Sequence, residues 1–367
     1  MKLNEVEAHL VPWYLTSTAP GGPSFHLESA PGRGKSSVIE GAPEKLSAAF
    51  PGKRFGVSII NCAGLTLAGA SGYLWPEEKD GHRYSQFTRP VWWETSEGQP
   101  LEAYDGGIIF ADEIDKADGD IKKIMGEGAF AKRLANHRLP KGWVMWFAGN
   151  RHGKDRSGST RDLDHLINRR ITIPIQDDLQ SLLDWQEKNA ISPEVKVFTR
   201  ENPNVVFMNA PEVQGPYCTP RSLAQADAFL RSMARVRGWD RIPVDPLLEE
   251  QVAGGIGAAA ARQLFVTIQL ALRLPDYDKV VKHPDTTEVP DSPSAQRLMT
   301  YKLAAKVSEA DMKPVVTYVS RLPKEFNIIF GHSTVKRDAK LLKDATFQGF
   351  LKQHRELINA MSQVVRS

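Results

Sequence analysis

The chain has 367 residues, and its 47 basic and 44 acidic side chains leave a formal net charge of +3. That length suits two domains or one domain with a large appendage, and so small a charge gives no argument for nucleic acid or an anionic membrane as partner. Cys62 and Cys218 are too distant in sequence for a disulfide framework or a zinc-ligand spacing. No apolar run reaches the length of a membrane span, and Met1 to Glu5 lacks a signal-peptide layout, so a cytoplasmic protein is expected.

Residues 3–15 place Leu3, Val6, Leu10, Val11 and Tyr14 at helical spacing, with Pro12 expected to limit the helix. Trp13 and Tyr14 are read as core packing, with contact to an adenine ring as the alternative. After the break at Pro20–Pro23, Phe25-His26-Leu27 reads as the end of a strand. It leads into Ser29-Ala30-Pro31-Gly32-Arg33-Gly34-Lys35-Ser36, and Ser37-Val38-Ile39 can open a helix. Strand, glycine-bearing turn and helix N-terminus are the context of a phosphate-binding loop. Its backbone N–H groups converge on phosphate oxygens, and the helix dipole adds positive potential there. Lys35 would reach the β- and γ-phosphates and Ser36 would sit on Mg²⁺.

The helix from Lys35 is expected to break near Gly41-Ala42-Pro43, and Phe55 to Ile60 reads as a buried strand, giving a βαβ unit and a parallel sheet. Residues 62–105 read as a loop-rich insertion with a hairpin around Tyr84–Trp93. Its aromatics Tyr73, Trp75, Trp92 and Trp93 would either contact a partner or bury in the hairpin. Gly106 to Ala111 reads as a buried strand ending in Asp112 and Glu113, at the edge where open parallel sheets bind ligands. Asp112 would hold Mg²⁺ and Glu113 would polarise an attacking water.

A helix over 118–135 and a strand over Trp143–Ala148 follow, the strand ending at Gly149-Asn150, whose amide can bond a γ-phosphate or the lytic water. Arg161 to Arg170 looks helical, with Leu163, Leu166 and Ile167 on one face, and Arg169 and Arg170 at its end could face a neighbouring subunit's nucleotide. Ile171 to Ile175 reads as an edge strand because of Pro174. From about 178 helical periodicity dominates. Thr219 caps a helix that has Pro220 in its first turn, so Arg221 could point towards phosphate. An Ala-rich helix over 256–274, a proline-punctuated surface loop over 275–293 and an amphipathic helix near 347–365 complete the chain. Phe347, Phe350, Leu351, Leu357 and Ile358 of that last helix are read as core.

Taken together these pieces resemble the AAA+ ATPases, and within them the MoxR-like group. Gly32 to Ser36 resembles Walker A, Ile108 to Glu113 Walker B, and Asn150 sensor 1. Leu139 to Trp143 is similar to some MoxR-like sequences. Asn168-Arg169-Arg170 resembles the family's arginine-finger segment, and Thr219-Pro220-Arg221 resembles sensor 2. Ser29 stands where the first Walker A glycine is usual, and Arg170 where an aromatic is usual. The likeness covers roughly residues 1–235.

It implies an α/β fold: a parallel-sheet core over 1–177, a helical lid over 178–274 and a C-terminal helical region over 275–367. It further implies ATP and Mg²⁺ as cofactors and a ring, usually a hexamer. Ala30, Pro31, Gly32, Arg33, Gly34, Lys35, Ser36 and Ser37 would hold the nucleotide, and Ser36 and Asp112 the metal. Glu113, Asn150, Arg169, Arg170 and Arg221 would serve hydrolysis, with one arginine acting in trans. A client protein would be remodelled or activated, and proteins with a von Willebrand factor A domain are the family's frequent clients. The competing readings are a nucleic-acid motor or nucleotide-specific restriction subunit, and a non-catalytic scaffold, which would have no use for Glu113.

Overall fold

Apolar runs that alternate between two faces become the strands of a parallel sheet in the computed structural model, which describes residues 1–134, 137–152, 155 and 164–354. The chain divides into two compact units, Met1–Asp177 and Asp178–Ser367. The first runs through α1 (Leu3–Thr18), β1 (Ser24–Glu28), α2 (Lys35–Glu40), α3 (Ala42–Ala49), β2 (Phe55–Asn61) and α4 (Leu67–Ser71). It continues with β3 (Leu74–Lys79), β4 (His82–Phe87), β5 (Gly106–Asp112), α5 (Gly119–Ala131), β6 (Arg133–Leu134), β7 (His137–Arg138), β8 (Trp143–Gly149), α6 (Asp164–Ile167) and β9 (Arg170–Pro174).

Five strands form one sheet in the order β2-β5-β8-β1-β9, all parallel. Ile108 and Phe110 of β5 join Val144 and Trp146 of β8 in a core under α1, α2 and α3. Ile109 and Ala111 join Met145 and Phe147 in a second core under α5. This two-residue period places one strand in two cores and buries the central strands on both faces, as parallel sheets require.

Two expectations change. Pro12 does not shorten the first helix, which continues to Thr18. Pro12 lies on its exposed side, where the lost hydrogen bond faces water, while Val6, Leu10 and Tyr14 hold the buried face. The hairpin lies earlier than Tyr84–Trp93: β3 pairs antiparallel with β4, Leu74 opposite Phe87 and Lys79 opposite His82. Its turn is Asp80-Gly81, both with positive φ, the geometry a two-residue hairpin needs. Pro90 then ends the extended run, and Val91–Trp93 is a single 3-10 turn. Trp13 stacks on Phe25, and the Tyr14 hydroxyl donates to Gly142 O, so both rings serve the core.

Among the described residues of the second unit, every regular element is a helix. It holds α7 (Leu179–Lys188), α8 (Pro193–Glu201), α9 (Pro203–Val206), α10 (Pro220–Arg237), α11 (Pro246–Ile256), α12 (Ala258–Leu272) and α13 (Tyr277–Lys282). Then come α14 (Pro293–Lys306), α15 (Met312–Val319), α16 (Lys324–Arg337) and α17 (Ala345–Gln353). Thr219 caps α10 as expected, its hydroxyl accepting from Ser222 N. Two cores fill the unit. One runs from Leu182 to Ile268, and the other joins Val197 to residues between Ala271 and Leu351. A buried ion pair, Lys196 Nζ to Glu187 Oε2 at 2.6 Å, ties α7 to α8, and Ser333 of α16 donates to the same carboxylate.

The segment 275–293 is no free loop. It contains α13, its Thr287 is buried, and Arg321 donates to the carbonyls of Pro284 and Thr287. Proline punctuation marked the missing N–H groups, but these tertiary bonds satisfy its carbonyls. Phe347, Phe350 and Leu351 are core, whereas Leu163, Leu357, Ile358 and the end of the expected 347–365 helix lie outside the described residues. Among the described residues, no helix is long and apolar enough to cross a membrane.

Candidate nucleotide site

Glu28 at the end of β1 is in register with Gly149 at the end of β8. The loop that leaves β1 therefore starts beside Asn150, and Ser29 N donates to Gly149 O. The loop turns through Gly32 and Gly34, whose φ values of +72° and +84° lie in the left-handed region that side-chain-bearing residues avoid. Gly34 caps α2, and Lys35 and Ser36 open it.

Lys35 is buried, and its ammonium lies within the loop's own curve. It donates to Ser29 O at 3.2 Å, Ser29 Oγ at 3.1 Å and Asn150 Oδ1 at 3.2 Å. Ser29, in the place of a glycine, thus supplies a hydroxyl to the lysine. The Ser36 hydroxyl donates to Asp112 Oδ2 at the end of β5. A serine hydroxyl and a carboxylate in contact are hard oxygen donors, the set Mg²⁺ takes, so these residues fit that ion. Among the described residues, no group of three or more His, Cys, Asp or Glu side chains could hold a metal by itself.

Glu113 follows with φ +53°, a left-handed backbone that costs energy for a residue with a side chain. Its Oε1 accepts from Lys116 Nζ at 2.6 Å. Asn150 spans two elements: Oδ1 accepts from Lys35, and Nδ2 donates to Asp115 Oδ2 at 3.4 Å. Burial raises the Asp115 carboxyl above the ordinary range. Below these groups burial pushes the Cys62 thiol up to about 12, with the charges of Asp112, Asp115 and Glu113 adding to it.

The remaining expected residues divide. The Arg33 side chain is turned to Asp177 at 2.7 Å and is buried, so it braces the loop while the loop's backbone faces the site. Ser37 is exposed on α2. Arg170 is not at a helix end. It is the first residue of β9, opposite Ser24, with 8% exposure and its guanidinium over the Phe147 ring. Arg169, one position earlier, is exposed, with its guanidinium 5.7 Å from the Phe130 ring. Arg161 to Leu163, the start of that expected helix, lie outside the described residues. Arg221 is exposed in the first turn of α10, in the second unit.

Sequence reasoning missed Asp115 and Lys116, although both stand in the same run as Asp112 and Glu113. The signal available was a third carboxylate three positions after Asp112. In the insertion the aromatics part company: Trp92 and Trp93 are buried, while Tyr73 and Trp75 are 71% and 66% exposed.

Fold and site together define the P-loop class of α/β proteins: a parallel sheet, a glycine loop leaving the interior strand β1, an amide at the tip of its neighbour β8, and carboxylates at the tip of β5, one strand further on. No protein-family model and no curated protein matches the chain. Solved structures do. A P216G mutant of RuvB from Thermotoga maritima is 11% identical over 77% of this chain and 76% of that one, with a TM-score of 0.40. NtrX from Brucella abortus is 16% identical over 74% of this chain, with a TM-score of 0.40, and the chain spans only 60% of its length. A structure of NtrX in complex with ADP is 15% identical over 97% of this chain and 67% of that one, with a TM-score of 0.37. Likeness at that level leaves the function to be read from the site's own residues.

Proposed function

We propose that the chain is an ATP-hydrolysing AAA+ protein of the MoxR-like kind, working in the cytoplasm as a hexameric ring that remodels or activates a client protein. The observation that carries this reading is the contact of Ser36 with Asp112, set beside Lys35 and Asn150 at the tips of adjacent strands. Lys35 exchanges its loop partners for phosphate oxygens, and the loop's N–H groups hold the same phosphates. Mg²⁺, held by Ser36 and Asp112, supplies positive charge against the phosphates when bound. Glu113 orients and polarises the attacking water once it leaves Lys116. Asn150 fixes that water or the γ-phosphate by hydrogen bonding.

Arg169 is the finger in this reading, because it is exposed and Arg170 is committed to its own sheet. Such an arginine, given in trans, is worth on the order of 10³-fold or more in rate. Arg221 couples the lid to the nucleotide. The exposed hairpin β3–β4, with Tyr73 and Trp75, is the surface offered to the client, for which proteins with a von Willebrand factor A domain are the first candidates.

The test is ATP turnover against protein concentration for wild type, Glu113→Gln and Arg169→Ala. Turnover should rise with assembly. Glu113→Gln should bind ATP without hydrolysing it, and Arg169→Ala should assemble but turn over slowly. A wild-type assembly that binds nucleotide and never hydrolyses it would falsify the reading.

A further inference from the structure

We infer that Asp115 is a positioning residue for hydrolysis, acting through the side-chain amide of Asn150. The inference rests on the nucleotide-hydrolase reading above and extends it to a residue outside the expected motifs.

The side-chain amide of Asn150 has two chemically different ends. The oxygen of Asn150 can only accept, and its nitrogen can only donate. Lys35 brings an ammonium, which only donates, to 3.2 Å from Oδ1. Asp115 brings a carboxylate oxygen to 3.4 Å from Nδ2. In the flipped orientation the amide oxygen would face the carboxylate and the amide hydrogens would face the ammonium. Both contacts would then be repulsive, so the two charged neighbours select one orientation.

That orientation matters to the chemistry. An amide nitrogen carries two hydrogens. Asp115 takes one and so fixes the plane in which the second lies. The second is the hydrogen that can be given to a γ-phosphate oxygen or to the lytic water. Lys35 moves to phosphate when nucleotide arrives and no longer holds Oδ1. Asp115 is then the partner that keeps the amide from turning.

The packing supports a fixed carboxylate. Asp115 is 3% exposed, and it lies against the backbone just before Asn150. A Cβ at Gly149 would stand 3.0 Å from Asp115 Oδ1 and 3.0 Å from His26 Nε2, closer than such contacts normally run. The residue before Asn150 thus leaves room for the carboxylate. Burial of this kind also makes the hydrogen bond to Asn150 stronger than it would be in water.

The experiment uses the full chain with four proteins: wild type, Asp115→Asn, Asn150→Ala and the double variant. Steady-state kcat and KM for ATP, the Kd of a fluorescent ATP analogue and the melting temperature are read for each. Asp115→Asn keeps shape but lets its own amide either donate or accept, so Asn150 loses its selected orientation. We expect kcat to fall by about tenfold, with KM and Kd within about twofold of wild type. We expect the double variant to match Asn150→Ala alone, because a residue that acts only through Asn150 has no effect once that amide is gone. Asp115→Ser, which removes the carboxylate but stays polar, should show the same non-additivity if Asp115→Asn does not fold.

Multiplicative losses in the double variant, or a kcat loss that merely tracks a lower melting temperature, would overturn the role of Asp115 while leaving the hydrolase reading in place. Full activity in Asn150→Ala would remove the sensor role and this inference with it. Absence of turnover in wild type would overturn the hydrolase reading itself.

Discussion

Ser36 and Asp112 are 76 positions apart and touch through a hydroxyl and a carboxylate. Lys35 and Asn150 are 115 positions apart and touch as well. Each of these residues was legible because it sits in a short stretch whose local chemistry is distinctive. Asp115 was not, because nothing local says that it will be buried against Gly149 and bonded to Asn150. Cys62 shows the same limit. Its thiol is 1% exposed and is pushed up to about 12 by burial first and by the three nearby carboxylates next. At pH 8 it is therefore protonated and out of reach. Iodoacetamide should leave the native protein unlabelled, since Cys218 is buried too, and should modify both cysteines after unfolding. Mass spectrometry reads the outcome directly, and rapid native labelling of Cys62 would contradict the packing.

At the scale of elements, the insertion between β2 and β5 carries two kinds of aromatic residue. The β3–β4 hairpin is exposed along almost its whole length, with Trp75 at 66% and Tyr84 at 49%. A two-stranded ribbon with no covering layer gains little from its own side chains. Trp92 and Trp93 instead enter the core under α5, and Trp92 Nε1 donates to Ala70 O. Trp75→Ser should therefore leave unfolding by denaturant unchanged, whereas Trp92→Ala should cost about 3 kcal/mol, the usual loss for a large buried ring. Equal effects would mean that the hairpin is covered. The shift of the hairpin from its expected register has a local cause: Asp80-Gly81 supplies the turn, and Pro90 stops the strand. Arg170 moved from helix end to strand start because pairing with Ser24 wins over the apolar spacing of Leu166 and Ile167.

For the molecule as a whole, the second unit holds a charge that burial disfavours. Lys302 on α14 has its pKa lowered to about 8, chiefly by burial, then by Arg241, while Glu194 opposes the shift. In the unfolded chain the group titrates near 10.5. Between pH 8 and 10.5 the unfolded state therefore binds more protons, so the contribution of this group to stability rises with pH across that window. Below pH 8 the folded protein carries the buried charge at a constant cost. Lys302→Met should raise the melting temperature at pH 7.5, and its advantage over wild type should shrink by pH 9.5. An advantage that does not change with pH would show that packing, not charge, sets the effect.

The sequence by itself determined the five strands of the parallel sheet, the glycine loop, the acidic strand tip, the cap at Thr219 and the change to helices after about residue 178. Those features follow from side-chain periodicity, backbone freedom at glycine and proline, and hydrogen bonding within a few residues. Tertiary structure decided which arginine lies exposed, which tryptophans are core, why 275–293 is held down, and that Asp115 meets Asn150. Each of these depends on strand register and on burial by distant segments, and neither is written in any one stretch of the chain.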